Sequence, residues 1–223
     1  MVDARTLSAV GAQSSEPVSR HERKQRTRQS LINSALRLLR DRSFAGLSLR
    51  EVAKEAGIVP TAFYRHFASM DELGIALVEQ SMRSLRLMIR DARRNPETYG
   101  DAIRSSVQTL YDHVRAHEEH FRFLTRERYG GVGPVQVAIA TELRLFGSEL
   151  AVDLGRFEGL NTWSAEDLRM MADLIVTAML GTVTDLVDVR APDQEADAEI
   201  TRVARKQLRL IVLGVAGWRS DTP

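Results

Sequence analysis

The sequence predicts an all-α protein: a small basic helix-turn-helix head followed by a larger helical body. Two observations carry that expectation. From residue 22 onward apolar residues recur at i, i+3, i+4 and i+7, the period of one buried helix face. No segment sustains the period-two alternation of a half-buried strand, and no Asn-Gly or Asp-Gly hairpin signal occurs. A length of 223 residues fits one large domain or two small ones and suffices for a real core. The absence of cysteine excludes disulfides, thiolate catalysis and Cys-type zinc sites.

Residues 1–20 show no periodicity and read as a disordered tail. A first helix is expected over 22–41, with Leu31, Ala35, Leu38 and Leu39 on its apolar stripe. Phe44, Leu47 and Leu49 carry the core across a turn. Ser48-Leu-Arg-Glu51 is a capping box that opens a second helix, with Leu49, Val52, Ala53 and Ala56 on one face. Gly57 stands where a glycine ends a helix, and Pro60 starts a third helix over 60–67, with Phe63 and Phe67 inward. Ser69-Met-Asp-Glu72 is a second capping box, opening a long helix over 70–93. Asn95-Pro96 starts a helix over 96–116, and 117–128 forms a shorter one. Tyr129 to Gly133 is a loop, and Pro134 begins a helix to about 157. Ser164-Ala-Glu-Asp167 caps a helix to about 189, Ala191 to Asp193 breaks the chain, and a last helix spans 194–218. The expected division is a tail over 1–20, a head over 21–68 and a body over 69–220.

Charge separates head from body. Residues 19–67 hold eleven lysines and arginines against four acids, a net +7, within a chain of net charge +1. A basic head on a mildly acidic body suggests a polyanion partner, although charge alone fits solvated helix faces equally well. Residues 48–67 describe two short helices about a glycine turn, with small Ala53 and Ala56 permitting close packing. That is helix-turn-helix geometry, whose second helix enters a DNA major groove. Its outward residues, Thr61, Ala62, Tyr64, Arg65 and His66, bring a hydroxyl, a phenol, a guanidinium and an imidazole within reach of phosphates or base edges. An ordinary αα-hairpin would not need this agreement of charge, cap, glycine and polar face.

The stretch Phe44-Ala-Gly-Leu-Ser-Leu-Arg-Glu-Val-Ala-Lys-Glu-Ala-Gly-Ile-Val-Pro-Thr-Ala-Phe-Tyr-Arg-His-Phe67 closely resembles the DNA-binding head of TetR-type transcriptional repressors. Residues 43–67 and Phe121-Arg-Phe-Leu-Thr-Arg-Glu-Arg128 are similar to a subgroup of fatty-acid-unsaturation regulators, FabR and DesT, and more so to DesT. The resemblance implies a TetR-like fold, a homodimer on a palindromic double-stranded DNA operator, and no enzymatic activity. It implies phosphate contacts from Tyr64, Ser48, Arg50 and His66, and base contacts from Thr61, Ala62 and Arg65. Many members carry a lysine where this chain has Met70; Arg26 and Arg28 can compensate, or can simply be solvated. The implied effector is a long-chain acyl-CoA, and no cofactor is implied.

In the body, the 164–189 segment places Leu168, Met171, Ile175, Met179, Thr182 and Leu186 on one stripe, with Leu174, Ala178 and Gly181 beside it. The last segment has Ile200, Val203, Ala204, Leu208, Ile211, Val212, Val215 and Trp218, widened by Leu210, Leu213, Gly214 and Gly217. Helices apolar over so much of their circumference are buried on two sides, in a dimer bundle or in a monomeric core. Phe121, Phe123, Leu124, Leu143, Phe146, Leu150, Met170 and Met171 can line an apolar tunnel or be plain core. Arg126 and Arg128 are candidates for the phosphates of an acyl-CoA, or belong with Glu127 to a structural ion-pair cluster. His113, His117 and His120 fall at i, i+4 and i+7 and can hold zinc or nickel only if one helix presents all three. A helix boundary near His117 would scatter them.

No nucleophile elbow, Gly-rich phosphate loop or zincin motif is present. No run of 18 uncharged apolar residues occurs, so a transmembrane helix is not expected. The first 18 residues have no apolar core, so no signal peptide is expected, and the compartment is expected to be the cytoplasm. The expected function is a ligand-responsive repressor of genes for unsaturated fatty-acid synthesis or desaturation. The alternative is a repressor of efflux genes responding to apolar drugs.

Overall fold

The computed structural model describes residues 19–92, 98–130, 133–189 and 193–220. Residues 1–18 of the tail expected over 1–20, the Asn95-Pro96 helix start, and parts of the 129–133 loop and the 191–193 break lie outside these; Ser19 and Arg20 belong to the start of α1 instead. The elements in order are α1 (Arg20–Leu38), a 3₁₀ turn (Phe44–Gly46), α2 (Leu49–Glu55), α3 (Pro60–Phe63), α4 (Met70–Ala92), α5 (Tyr99–Ala116), α6 (Glu118–Gly130), α7 (Pro134–Leu154), α8 (Ala165–Asp188), α9 (Gln194–Leu213) and a second 3₁₀ turn (Val215–Gly217). No strand occurs among the described residues.

The caps explain the boundaries. Ser19 and Glu22 form a capping box, so α1 starts two residues before the expected position. Its α-helical hydrogen bonding ends at Leu38 rather than 41. The Ser48–Glu51 box opens α2 as expected. At its end the Ile58 N–H bonds to the Ala53 carbonyl and the Gly57 N–H to the Lys54 carbonyl, with Gly57 at φ +72°. This is a Schellman stop, which needs a left-handed residue at that point. Helix α3 is shorter than expected. After Phe63 the chain tightens, with N–H groups of Arg65 and His66 bonding to carbonyls three residues back. Ser69 accepts the Glu72 N–H at 3.2 Å at the head of α4. Thr98 caps α5, Ser164 caps α8 and Asp193 caps α9. Helix α7 stops at Leu154 and α9 at Leu213, each followed by glycine.

Head and body share one core. Leu31, Ile32, Leu36, Phe44, Val52, Phe63 and Phe67 of the head are contiguous with Leu73, Leu77, Phe123, Val135 and Leu186 of the body. Helix α4 is the joint. A Cβ added at Gly74 would lie 2.5 Å from Val135 of α7 and 2.7 Å from the Phe44 ring, so only glycine admits this approach. Behind it, α7 packs on α4 and α8, and α9 on α5 and α8. The Arg115 guanidinium ties α5 to α9 and α8. It donates to the buried Asp197 carboxylate and, at 3.0 Å, to the Leu186 carbonyl, while the Tyr111 hydroxyl donates to Asp197 at 3.1 Å.

One expectation needs correction. Helix α8 is long and apolar enough, by length and composition, to cross a membrane, with a mean hydropathy of 1.6 over its most apolar window. The criterion of an uninterrupted apolar run misses it because Asp173 and Asp185 punctuate it. Here the helix packs on α7 and α9, and 39% of that window is buried.

Candidate DNA interface and ligand cavity

Helices α2 and α3 carry the head's polar face. Thr61, Tyr64 and Arg65 are exposed and Ala62 is half-buried. Tyr64 is 63% exposed, its ring set edge-on against buried Phe63, which leaves the phenol directed away from the core. His66 is half-buried, and its Nδ1 lies buried with no hydrogen-bond partner among the described residues. Burial, and then Lys24, Arg28 and Arg65, hold its pKa below the ordinary histidine value. The Arg28 guanidinium lies 4.6 Å from the Phe67 ring centroid, while Arg26 is exposed. Lys24 and Arg28 of α1 thus lie beside His66 and Phe67, just past α3. Arg50 is exposed at the start of α2. Ser48 is already engaged: its hydroxyl donates to Glu51 at 2.7 Å and accepts the Glu51 N–H at 3.3 Å. Those bonds, with Arg42 at 2.9 Å, hold the Glu51 carboxyl down at about 2. A phosphate contact from the Ser48 hydroxyl must compete with that box.

The body encloses an apolar cavity of about 140 Å³ between α4, α5, α6, α7, α8 and α9. Of the residues expected to line a tunnel, Phe121, Leu124, Arg128, Leu143, Phe146, Leu150 and Met171 do so. Three do not. Phe123 is turned to the head, its ring 6.2 Å from that of Phe44. Met170 is 41% exposed on the outer face of α8. Arg126 points away from the cavity: its guanidinium donates to the carbonyls of Leu39 (3.0 Å), Arg40 (3.2 Å) and Arg42 (2.5 Å). These carbonyls lie just past the C-terminus of α1, where a cation satisfies helix-end acceptors and the dipole. Buried Glu127 accepts the Phe44 N–H at 2.8 Å, and Glu119 accepts from Arg40.

Helix α6 therefore has two functional faces. Phe121, Leu124, Thr125 and Arg128 look into the cavity; Phe123, Arg126 and Glu127 grip the head. The sequence reading missed this grip, and it missed the share of the cavity wall from α4 and α5, including Met82, Leu85, Ile103 and Ser106. No local pattern separates a cavity wall from a core face.

The histidines are not scattered. Helix α5 ends at Ala116 and His117 caps it, yet the rings of His113 and His117 are 4.6 Å apart and those of His117 and His120 are 5.9 Å apart. Burial, and then the two neighbouring histidines, push His113 down to about 4. His120 Nδ1 lies 2.6 Å from the Ser81 hydroxyl of α4. Among the described residues no His, Cys, Asp or Glu group of three or more is arranged to hold a metal.

On the outside of α8 and α9, Met170, Leu174, Leu210 and Leu213 are exposed, forming apolar stripes with Gly181 and Val203. The main stripe expected on α8, from Leu168 to Leu186, faces inward, and Met171, Ile175 and Met179 reach the cavity.

Comparison with known proteins gives a consistent picture. Residues 31–77 match the family model described as bacterial regulatory proteins, tetR family, and residues 99–214 match that of the tetracyclin repressor-like C-terminal domain. The fatty acid degradation regulator FadR from Bacillus halodurans superposes with a TM-score of 0.68 at 16% identity, covering 87% of this chain and 97% of its own. FadR from Bacillus subtilis, solved in complex with stearoyl-CoA, gives 0.68 at 16% identity, covering 83% and 98%. A transcriptional regulator from Pseudomonas aeruginosa PAO1 gives 0.68 at 16% identity, covering 92% and 99%. At these identities the likeness is one of fold.

Proposed function

Because the chain belongs to the TetR family of bacterial regulatory proteins, which are DNA-binding regulators rather than enzymes, we propose that it is a homodimeric repressor that releases or tightens its operator on binding a long-chain acyl-CoA. The genes it controls, on this reading, serve unsaturated fatty-acid synthesis or desaturation. The observation that carries the reading is the double role of α6, which walls the cavity with one face and holds the head with the other. A ligand that displaces Phe121 or Leu124 moves a helix bonded to the end of α1 and to Phe44. Such a ligand shifts the equilibrium only through unequal affinity for the two head positions. The apolar outer stripes of α8 and α9 supply the dimer face, which sets the separation of the two α3 helices to the roughly 34–36 Å between major-groove half-sites.

The apolar wall suits an acyl chain, and methionines at 82, 171 and 179 let it adapt to chain shape. The Bacillus subtilis neighbour, solved with stearoyl-CoA, supports the capacity of this fold for such a ligand. A cis double bond bends the chain, so saturated and unsaturated acyl groups press on α6 differently. The test is fluorescence anisotropy on DNA from the protein's own upstream region, at fixed salt, titrated with palmitoyl-CoA and separately with oleoyl-CoA. Unequal shifts in operator affinity are expected. Tight binding with no response to either would retain the repressor and transfer the effector to apolar drugs, as in control of efflux.

A further inference from the structure

We propose that the same cavity takes free long-chain carboxylates, with Arg128 as the residue that recognises the acid group. This rests on the reading of the cavity as an acyl-chain site and adds a second ligand class to it. Arg128 stands on the last turn of α6 and is half-buried in the cavity wall. Its Nη1 is buried and has no hydrogen-bond partner among the described residues. Its guanidinium carbon lies 5.3 Å from the Tyr129 ring centroid, a contact that does not itself engage the Nη1 donor. The neighbouring arginine, Arg126, spends its donors on three carbonyls; among the described residues Arg128 Nη1 has no such partner. Asp153, the acid on the same wall, sits 3.2 Å from Arg156.

A buried guanidinium donor against an apolar wall is an incomplete pair, and the group that completes it is an anion. Position narrows the chemistry. Tyr129 lines the cavity and is 73% exposed, so this end reaches the surface. A chain inserted from that end puts its alkyl tail against Met171, Ile175 and Leu208, and its first carbon near Arg128. The charge must then sit directly at the head of the chain. A carboxylate meets that requirement. A thioester offers a neutral carbonyl there and carries its phosphates farther out.

Equilibrium dialysis of radiolabelled palmitate, 1-hexadecanol and palmitoyl-CoA against the full-length protein tests this. Wild type is expected to bind palmitate about tenfold to a hundredfold more tightly than 1-hexadecanol, the effect of one charge-assisted pair. Arg128→Met is expected to remove that margin by weakening palmitate alone, and Arg128→Lys to retain part of it. Equal binding of palmitate and 1-hexadecanol by wild type overturns the proposal without recourse to any variant. So does an Arg128→Met loss shared equally by both. Binding of palmitoyl-CoA without palmitate overturns it and leaves the acyl-CoA reading standing; binding of none of the three overturns both.

Discussion

Arg126 and Arg128 are two residues apart on one helix, and their side chains serve opposite ends of the molecule. Arg126 closes off the C-terminal carbonyls of α1, and Arg128 faces the cavity. Their shared residue type made them one candidate pair in the sequence; the turn of about 100° per residue in a helix separates them. The same rotation divides Met170, on the surface, from Met171, on the cavity wall. Residue identity in the head is more directly legible, because exposed polar side chains on a short helix have few alternatives. Tyr64 and Arg65 are both exposed on the rim of α3, yet they are expected to behave differently. Tyr64→Phe removes the hydroxyl that the resemblance assigns to a phosphate contact, so operator and unrelated DNA should lose affinity together, by about 1 kcal/mol. Arg65→Ala should instead flatten preference at one base position, by roughly 1–3 kcal/mol if it reads a guanine. Anisotropy on a panel of single-base operator variants separates the two. Unchanged base preference in Arg65→Ala would make Arg65 a backbone or solvent residue.

At the scale of the element, α6 is the part whose function depends on tertiary placement. A short helix was legible here, but that does not say what each face meets. The ends of α1, α3 and α9 were less legible than their starts. Pro60 and Asp193 announce the starts of α3 and α9, whereas these helices end in tightened turns that periodicity runs straight through. The grip of α6 on the head makes a prediction of its own. Arg126→Ala strips the carbonyls of Leu39, Arg40 and Arg42 of their shared donor and loosens α6 from α1. The ratio of operator Kd with and without palmitoyl-CoA is expected to fall toward one, a loss of about 1–3 kcal/mol of coupling. Palmitoyl-CoA affinity itself should change little, because Arg126 does not line the cavity. A wild-type ratio in this variant would place the transmission elsewhere, in the Glu127–Phe44 and Arg40–Glu119 bonds of α6 or in α4.

Global stability and assembly belong to the whole molecule. His113 is buried and held near pKa 4, against about 6.5 in the unfolded chain. Between those values the unfolded state binds the extra proton, so stability rises with pH there and is lost as pH falls from 6.5 toward 4. The loss is at most about 3 kcal/mol from this group. His120 and His66 are lowered too and act in the same direction. Thermal melts across that window should show the fall, and His113→Phe should flatten it; an unchanged slope would acquit His113. In the proposed homodimer, assembly rests on the outer stripes of α8 and α9. Leu174 and Leu210 are 53% and 72% exposed and do not line the cavity, so their replacement leaves the monomer's core intact. In a two-fold dimer each change is made twice, and a doubly substituted Leu174→Arg, Leu210→Arg chain places four guanidinium groups in one apolar seam. Burying unpaired charge costs several kcal/mol per ion, more than the about 1.5–3 kcal/mol each leucine contributes. Sedimentation velocity should therefore report a monomer whose circular dichroism retains the wild-type helix content. Operator affinity should fall by a factor of about 10² to 10⁴, because one head then binds without the effective concentration supplied by its partner. Palmitoyl-CoA binding should survive, since each cavity is complete within one chain. A variant that stays dimeric would move the interface off this face. A monomer that still held the operator at wild-type affinity would remove the need for two heads, and with it the palindrome.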